Sequence, residues 1–304
     1  MSALAFLTYD VFTETPFAGN PLGVVEGANG LSDAQMQTIA REFNLSETIF
    51  IQTPDNASHT AKVRIFTPVR EIPFAGHPTI GCAIHLADKA EGAGDFETTI
   101  TLEEVAGLVP VKVTRKEGRI RAQLTAPVIP FAAGVIPSVE QAAAASGLNA
   151  ADIGFDGHAP GVFEGGPRFL FIPVTDRDAL ARASSVEPHW SAALKAAGTL
   201  GIYFYTRGGD APETSYRSRM MAPTGGIIED PATGSATALL AAQLLASAAL
   251  NEGANALNLE QGYDMGRPSD LALEIDVENG ALAAIRVAGS AVRVSEGTIR
   301  APSR

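Results

Sequence analysis

The chain has 304 residues, enough for two ordinary domains or one large one. Apolar residues make up 46% and charged residues 18%, the mix of a globular protein with a substantial core. Acids outnumber bases by 34 to 22, for a formal charge of −12. That balance excludes the basic face a nucleic-acid binder needs. It leaves room for a small anionic metabolite, which a few backbone N–H groups can hold.

In chain order, Leu4 to Phe12 and Pro21 to Val25 are rich in strand formers, with a Gly19-Asn20-Pro21 turn between them. Leu31 to Phe43 has helical apolar spacing at Met36, Ile39, Ala40 and Phe43, with Ser32 as N-cap. Thr48 to Gln52 and Ala61 to Phe66 are predicted strands, and Pro78 to Ala90 a helix apolar on every side, hence buried. Strands follow at Thr98 to Leu102, Val109 to Thr114 and Arg119 to Leu124. Prolines and small residues between Ala126 and Gly134 mark a domain boundary. Beyond it, helices are expected at Ser138 to Ser146, Arg177 to Ala183 and Trp190 to Ala197, and strands at Arg168 to Val174 and Gly201 to Tyr205. A Gly- and Pro-rich stretch from Met220 to Gly234 leads into a second wholly apolar helix, Ser235 to Leu250. Three closing strands are expected at Leu271 to Val277, Ala281 to Val287 and Ala291 to Glu296. The N-terminal half is thus 1–125 and the C-terminal half 126–304, with the final strands free to return to the first half.

Cys82 is the single cysteine, so an internal disulfide and a Cys-based zinc site are excluded. No basic segment followed by an apolar stretch opens the chain, and no apolar run approaches the roughly 18 residues that span a bilayer. The expected location is the cytoplasm, with no membrane partner. No Gly-x-Ser-x-Gly elbow, phosphate-binding loop, His-Glu-x-x-His or dinucleotide fingerprint occurs.

The most informative feature is an internal repeat. His77-Pro78-Thr79-Ile80-Gly81 opens the first buried helix and Asp230-Pro231-Ala232-Thr233-Gly234 the second, an offset of 153 (230 − 77). Upstream, Arg64-Ile65-Phe66-Thr67-Pro68 matches Arg219-Met220-Met221-Ala222-Pro223 at a shift two residues larger. Proline at a helix's first position gives up only an N–H without an intrahelical partner, and Asp is a favoured N-cap. Helix N-termini carry unbonded N–H groups and partial positive charge. Two of them, related by a pseudo-two-fold axis, would hold a carboxylate in a shared cleft, with His77 and Asp230 at equivalent positions.

These residues resemble the phenazine-biosynthesis PhzF-like family. The resemblance rests on Asp10-Val11-Phe12-Thr13 with Phe17 and Gly19-Asn20-Pro21-Leu22, and on Leu45-Ser46-Glu47-Thr48. It rests further on Phe66-Thr67-Pro68 followed by Glu71-Ile72-Pro73-Phe74-Ala75-Gly76-His77-Pro78-Thr79, and on Glu229 to Ala236. It implies the diaminopimelate-epimerase-like fold: an α/β (α+β) chain of two pseudo-symmetric halves, each a curled, mainly antiparallel sheet around a central buried helix. It also implies a homodimer and an isomerase working by general acid–base catalysis without a cofactor or metal. The reaction implied moves a proton on a carboxylate-bearing unsaturated substrate such as trans-2,3-dihydro-3-hydroxyanthranilate.

By the same resemblance Glu47 is the principal acid–base residue, with His77 and Asp230 taking part in proton movement. Substrate-binding candidates are Asn20, Gly76, Thr233, Gly234 and Ser235. Each also has a plainer reading. Glu47 is otherwise an exposed charge at a strand start, Asp230 an N-cap, His77 a structural histidine, Ser235 a small first-turn residue and Asn20 a turn residue. Related epimerases and racemases with this fold use two cysteines, a mechanism one cysteine inside a helix does not allow. Two other functions remain open: epimerisation of an amino-acid-like metabolite by carboxylate and imidazole, and non-catalytic binding of a metabolite or protein.

Overall fold

A computed structural model of the chain describes residues 3–303. Chain contacts divide it into two compact units: Met1–Thr125 with Ala288–Arg304, and Ala126–Val287.

The first unit runs β1 (Ala3–Val11), β2 (Asn20–Val25), α1 (Asp33–Phe43), β3 (Glu47–Gln52), β4 (Ala61–Phe66), β5 (Glu71–Ile72), α2 (Gly76–Glu91), β6 (Phe96–Glu104), β7 (Gly107–Lys116) and β8 (Arg119–Thr125). It is completed by the last strand of the chain, Ala291–Arg300, which pairs antiparallel with β1. From β1 the sheet continues antiparallel to β2, parallel to β3, antiparallel to β4, parallel to β6, then antiparallel to β7 and β8. The short β5 also lies on β4.

Helix α2 touches β1, β2, β3, β6, β7 and β8, so the sheet curls around it. Its sequence permits this: every residue from Gly76 to His85 is buried. A helix without a polar face is stable only when surrounded. Gly81 sets the closest approach, because a Cβ there would meet Leu22 Cδ2 at 2.5 Å and Val11 Cγ2 at 2.8 Å. On α1, Ser32 and Gln35 form a capping box, and Met36, Ile39 and Ala40 pack into a core with Val25, Phe50 and Phe66.

The second unit runs β9 (Phe131–Ala132), α3 (Val139–Ser146), β10 (Gly161–Glu164), β11 (Arg168–Pro173), α4 (Arg177–Arg182), α5 (His189–Ala197), β12 (Ile202–Arg207), β13 (Thr214–Ala222), β14 (Ile227–Asp230), α6 (Gly234–Ala246), β15 (Gly253–Gln261), β16 (Ser269–Glu278) and β17 (Ala281–Gly289). The chain's last strand is thus β18. Leu170 and Ile172 of β11 join Trp190, Leu194 and Ala142 from α5 and α3 in one core, while α6 also packs on β10 and β11. A strand covered on both faces reads as an unbroken apolar run, which is why β11 was legible.

The two units repeat one pairing scheme. The steps β1–β2 antiparallel, β2–β3 parallel, β3–β4 and β4–β5 antiparallel, β4–β6 parallel and β6–β7 antiparallel recur as β10–β11, β11–β12, β12–β13, β13–β14, β13–β15 and β15–β16. Side chains repeat with it. Arg64 on β4 grips Glu71 on β5 with two hydrogen bonds, 2.5 and 2.6 Å, and Arg219 on β13 grips Glu229 on β14 with two at 2.9 Å. Near the end of β6, Glu103 accepts the N–H groups of Asp55 and Asn56. Glu260 of β15 accepts those of Asp210 and Ala211.

This scheme corrects the expected register. Helix α2 begins at Gly76 with Ala75 as N-cap, so His77 and Pro78 lie inside its first turn. Helix α6 begins at Gly234 with Thr233 as N-cap, and Asp230 closes β14, where it pairs with Met220. Asp230 is therefore not the N-cap of α6, because its backbone is committed to the strand. Matching helix start to helix start gives an offset of 158 (234 − 76), which aligns Ala75-Gly76-His77-Pro78-Thr79 with Thr233-Gly234-Ser235-Ala236-Thr237. Ser235, not Asp230, holds the place of His77. The offset is 155 at Arg64 and Arg219 (219 − 64) and already 158 at Glu71 and Glu229 (229 − 71), and between those points the β13–β14 pairing has a register irregularity at Met220 to Ala222.

Candidate active site

In the first unit Glu47 is the first residue of β3, opposite Leu22 on β2. Asn20, fully buried, begins β2 two residues before Leu22, so both side chains belong to the same end of the sheet. Gly19 makes the preceding turn with φ of +65°, and a Cβ there would strike the Val11 carbonyl and the Thr13 side chain. Helix α2 starts at this same end. His77 in its first turn is 4% exposed, and its Nδ1 lies 2.9 Å from Glu47 Oε2. The Glu47 side chain is 14% exposed, enough to reach solvent or a ligand while paired. An imidazole Nδ1–H donating to a carboxylate fixes the ring's tautomer and orientation and leaves the carboxylate's second oxygen for other chemistry. Gly76, buried beside His77, leaves the first turn without a side chain ahead of it.

Below this pair lies Glu104, the last residue of β6, 8% exposed and 2.6 Å from Thr79 Oγ1. Burial pushes its carboxyl up to about 7, with the Thr79 hydrogen bond opposing in part. Cys82, on the same helix, is fully buried, and burial pushes its thiol well above the usual range. A thiol held protonated in this way is not a nucleophile or base.

In the second unit Asp230 is 6% exposed and accepts a 2.5 Å hydrogen bond on Oδ2 from the Thr233 hydroxyl. Gln261, fully buried at the end of β15, ties the turn together. Its amide donates to the Asp230 carbonyl at 2.8 Å and to Thr233 Oγ1 at 2.9 Å, and accepts from the Thr233 N–H at 3.1 Å. Gly234 and the half-buried Ser235 then start α6, whose first-turn N–H groups have no intrahelical acceptor. The structure thus groups Asn20, Glu47, Gly76 and His77 in one unit, and Asp230, Thr233, Gly234 and Ser235 in the other. Sequence reasoning missed Glu104 and Gln261. They lie 25 and 28 residues from the threonines they bond, and the only available signal was their common place at the end of equivalent strands.

The repeated sheet-around-helix fold is that of the diaminopimelate-epimerase-like proteins. A probable proline racemase from Agrobacterium radiobacter has the same fold at 15% identity, with a TM-score of 0.65 over 98% of this chain and 93% of that one. Residues 9–297 match the phenazine biosynthesis-like protein family, PhzC–PhzF, and the chain belongs to that family and is an isomerase of it. It is 41% identical to an uncharacterized isomerase of Mesorhizobium japonicum, over 98% of this chain and 99% of the relative. It is 34% identical to the trans-2,3-dihydro-3-hydroxyanthranilate isomerase of Pseudomonas chlororaphis, over 97% and 98%. A solved PhzF-family protein of Bacillus anthracis superimposes with a TM-score of 0.87 at 26% identity, over 99% of this chain and all of that one. Among the described residues no helix is long and apolar enough to cross a membrane.

Proposed function

We propose that this isomerase moves a proton along a small, unsaturated, carboxylate-bearing substrate of the trans-2,3-dihydro-3-hydroxyanthranilate type, with Glu47 as its acid–base residue. The observation that carries this reading is the 2.9 Å contact between His77 Nδ1 and Glu47 Oε2 at the start of a buried helix. The relative named for that reaction is 34% identical over nearly the whole chain.

In this mechanism Glu47 takes a proton from an activated carbon. The electron pair left behind moves into the conjugated system, and Glu47 returns the proton to another carbon of it. His77 holds the carboxyl group in place and stabilises its charged form before the first transfer and after the second. In the first unit, Asn20 and the first-turn N–H at Gly76 are suited to bind a carboxylate. In the second, Asp230 and Thr233 are suited to hydrogen-bond an amine or hydroxyl, and the first-turn N–H groups at Gly234 and Ser235, with the Ser235 hydroxyl, to bind a carboxylate. Prearranged hydrogen bonds of this kind lower the barrier because nothing has to reorient as charge moves.

The test is proton NMR in D₂O with trans-2,3-dihydro-3-hydroxyanthranilate, comparing wild type with Glu47→Gln. The amide keeps the shape and removes the base, so turnover is expected to fall about 10²- to 10⁴-fold, with deuterium incorporated by wild type. Full turnover by Glu47→Gln would refute the role of Glu47. Deuterium entering a stereocentre without a double-bond shift would mark an epimerase instead.

A further inference from the structure

The Thr79 hydroxyl carries one hydrogen but has two oxygens within reach: the Ala75 carbonyl at 2.7 Å and Glu104 Oε1 at 2.6 Å. If Glu104 were a carboxylate, both neighbours would be acceptors, and one would go without a proton. If Glu104 keeps its proton, its O–H donates to Thr79 and the Thr79 hydroxyl donates to Ala75, the N-cap of α2. The other oxygen, Oε2, is buried with no hydrogen-bond partner among the described residues. A buried, unsolvated oxygen is far costlier on an anion than on a neutral acid.

The second unit has a neutral amide at the equivalent strand end, bonded there to Thr233, which holds the N-cap place of Ala75, rather than to Thr237, which holds that of Thr79. Gln261 stands at the end of β15 as Glu104 stands at the end of β6. Its amide donates to Thr233 Oγ1, and Thr233 in turn donates to the Asp230 carboxylate. A protonated glutamic acid and a glutamine are nearly isosteric, and each offers one acceptor and at least one donor.

We propose that Glu104 is a positioning residue of the active site, held as the neutral acid, whose Glu104–Thr79–Ala75 relay fixes the first turn of α2 and so the placement of His77 against Glu47. Ionisation of Glu104 reverses the relay, turning the Thr79 hydroxyl from Ala75 toward Glu104 and loosening the helix start. Burial already places this ionisation near neutrality. The groups around it leave the event to Glu104 itself. Cys82 faces it from α2 and stays a thiol. Gly107 lies opposite on β7, and Glu103 is turned to the loop at Asp55 and Asn56. Lys62 of β4 is engaged by Asp55, and His77 by Glu47. The bearing on catalysis rests on the role proposed for His77, whereas the ionisation can be measured without any substrate.

The experiment follows the His77 imidazole by ¹H–¹³C NMR from pH 5 to 8, its signal identified by its loss in His77→Asn. Thermal unfolding is measured over the same range for wild type, Glu104→Gln, Thr79→Ser and Thr79→Val. In wild type the His77 signal is expected to show an inflection shared with Glu104 near pH 7, which Glu104→Gln lacks. A carboxyl whose folded value is raised contributes stability that is complete below its unfolded value and lost as pH rises through the folded one. The unfolding temperature of wild type should therefore fall by several degrees more than that of Glu104→Gln between pH 5 and 8. Thr79→Ser should keep the shared inflection and Thr79→Val lose it. Superimposable curves for wild type and Glu104→Gln would overturn the proposal. So would a Glu104→Gln protein that does not fold, since Gln261 shows the amide suits this place. If the inflection is present but the substrate is not turned over, the relay stands and the proposed substrate falls separately.

Discussion

The paired arginine clamps give a prediction with an internal control. The Arg219 side chain is 11% exposed; it donates two hydrogen bonds to Glu229 at 2.9 Å, and the two hydrogens of Nη1 are shared among the carbonyls of Leu180, Ala181 and Ala183 at 2.9 to 3.0 Å. The three carbonyls are the C-terminal end of α4, so the guanidinium both pairs a buried carboxylate and caps a helix. Its own proton is held more tightly than usual: burial works against the charge, but Glu229 outweighs it. Arg219→Met strands a nearly buried Glu229 and uncaps α4. Breaking a buried pair from one side costs about 3–5 kcal/mol, or roughly 6–20 °C in unfolding temperature for a domain of this size. Arg64 makes the same two-pronged grip on Glu71, but Glu71 is 30% exposed and the other partner, Asp33, is 80% exposed. Arg64→Met should cost only about 1 kcal/mol. Calorimetric unfolding of the two variants decides it, together with the double variant Arg219→Met/Glu229→Leu, which should recover most of the loss because no charge is left unpaired. Equal losses for the two arginines, or a double variant no better than the single, would refute the reasoning.

Two further outcomes follow from the geometry. Gly81→Ala should destabilise by about 1–2 kcal/mol in urea unfolding, because the overpacking against fully buried Leu22 and Val11 outweighs the helix propensity gained; a stabilised variant would mean that α2 has room to shift. Glu260 is 1% exposed and accepts from Asp210, Ala211, Thr214 and Arg217, and although burial raises its carboxyl, these donors together bring it below the ordinary range. Its stabilisation is therefore present above the ordinary carboxylate range and lost as pH falls through its lowered value, so acid unfolding followed by circular dichroism should be steeper for wild type than for Glu260→Gln, and parallel curves would exclude it as an acid-labile contact.

Much of the molecule is written locally. The Ser32–Gln35 and Ser138–Gln141 boxes mark α1 and α3, unbroken apolar runs mark α2, α6 and β11, and positions of these elements follow the predicted ones within a few residues. Glu47 and His77 were likewise named from short motifs, and the fold brings them into contact. The strands β13 and β15 were harder to see. β13 carries Arg217 and Arg219 at buried positions, which mask its pattern because their partners, Glu260 and Glu229, lie 43 and 10 residues away. For β15, the outer half alternates small and polar residues on an exposed face.

What sequence alone determined was which segments are helix or strand and that the chain repeats itself, since capping, periodicity and apolar content act within a few residues. Tertiary structure decided the register of that repeat. Letters shared by His77-Pro78 and Asp230-Pro231 suggest one alignment, but strand pairing commits Asp230 to β14 and moves the helix start to Gly234. It also decided the chemical state of the support beneath each helix. Glu104 and Gln261 differ in charge on paper, and only burial against a threonine hydroxyl makes them alike.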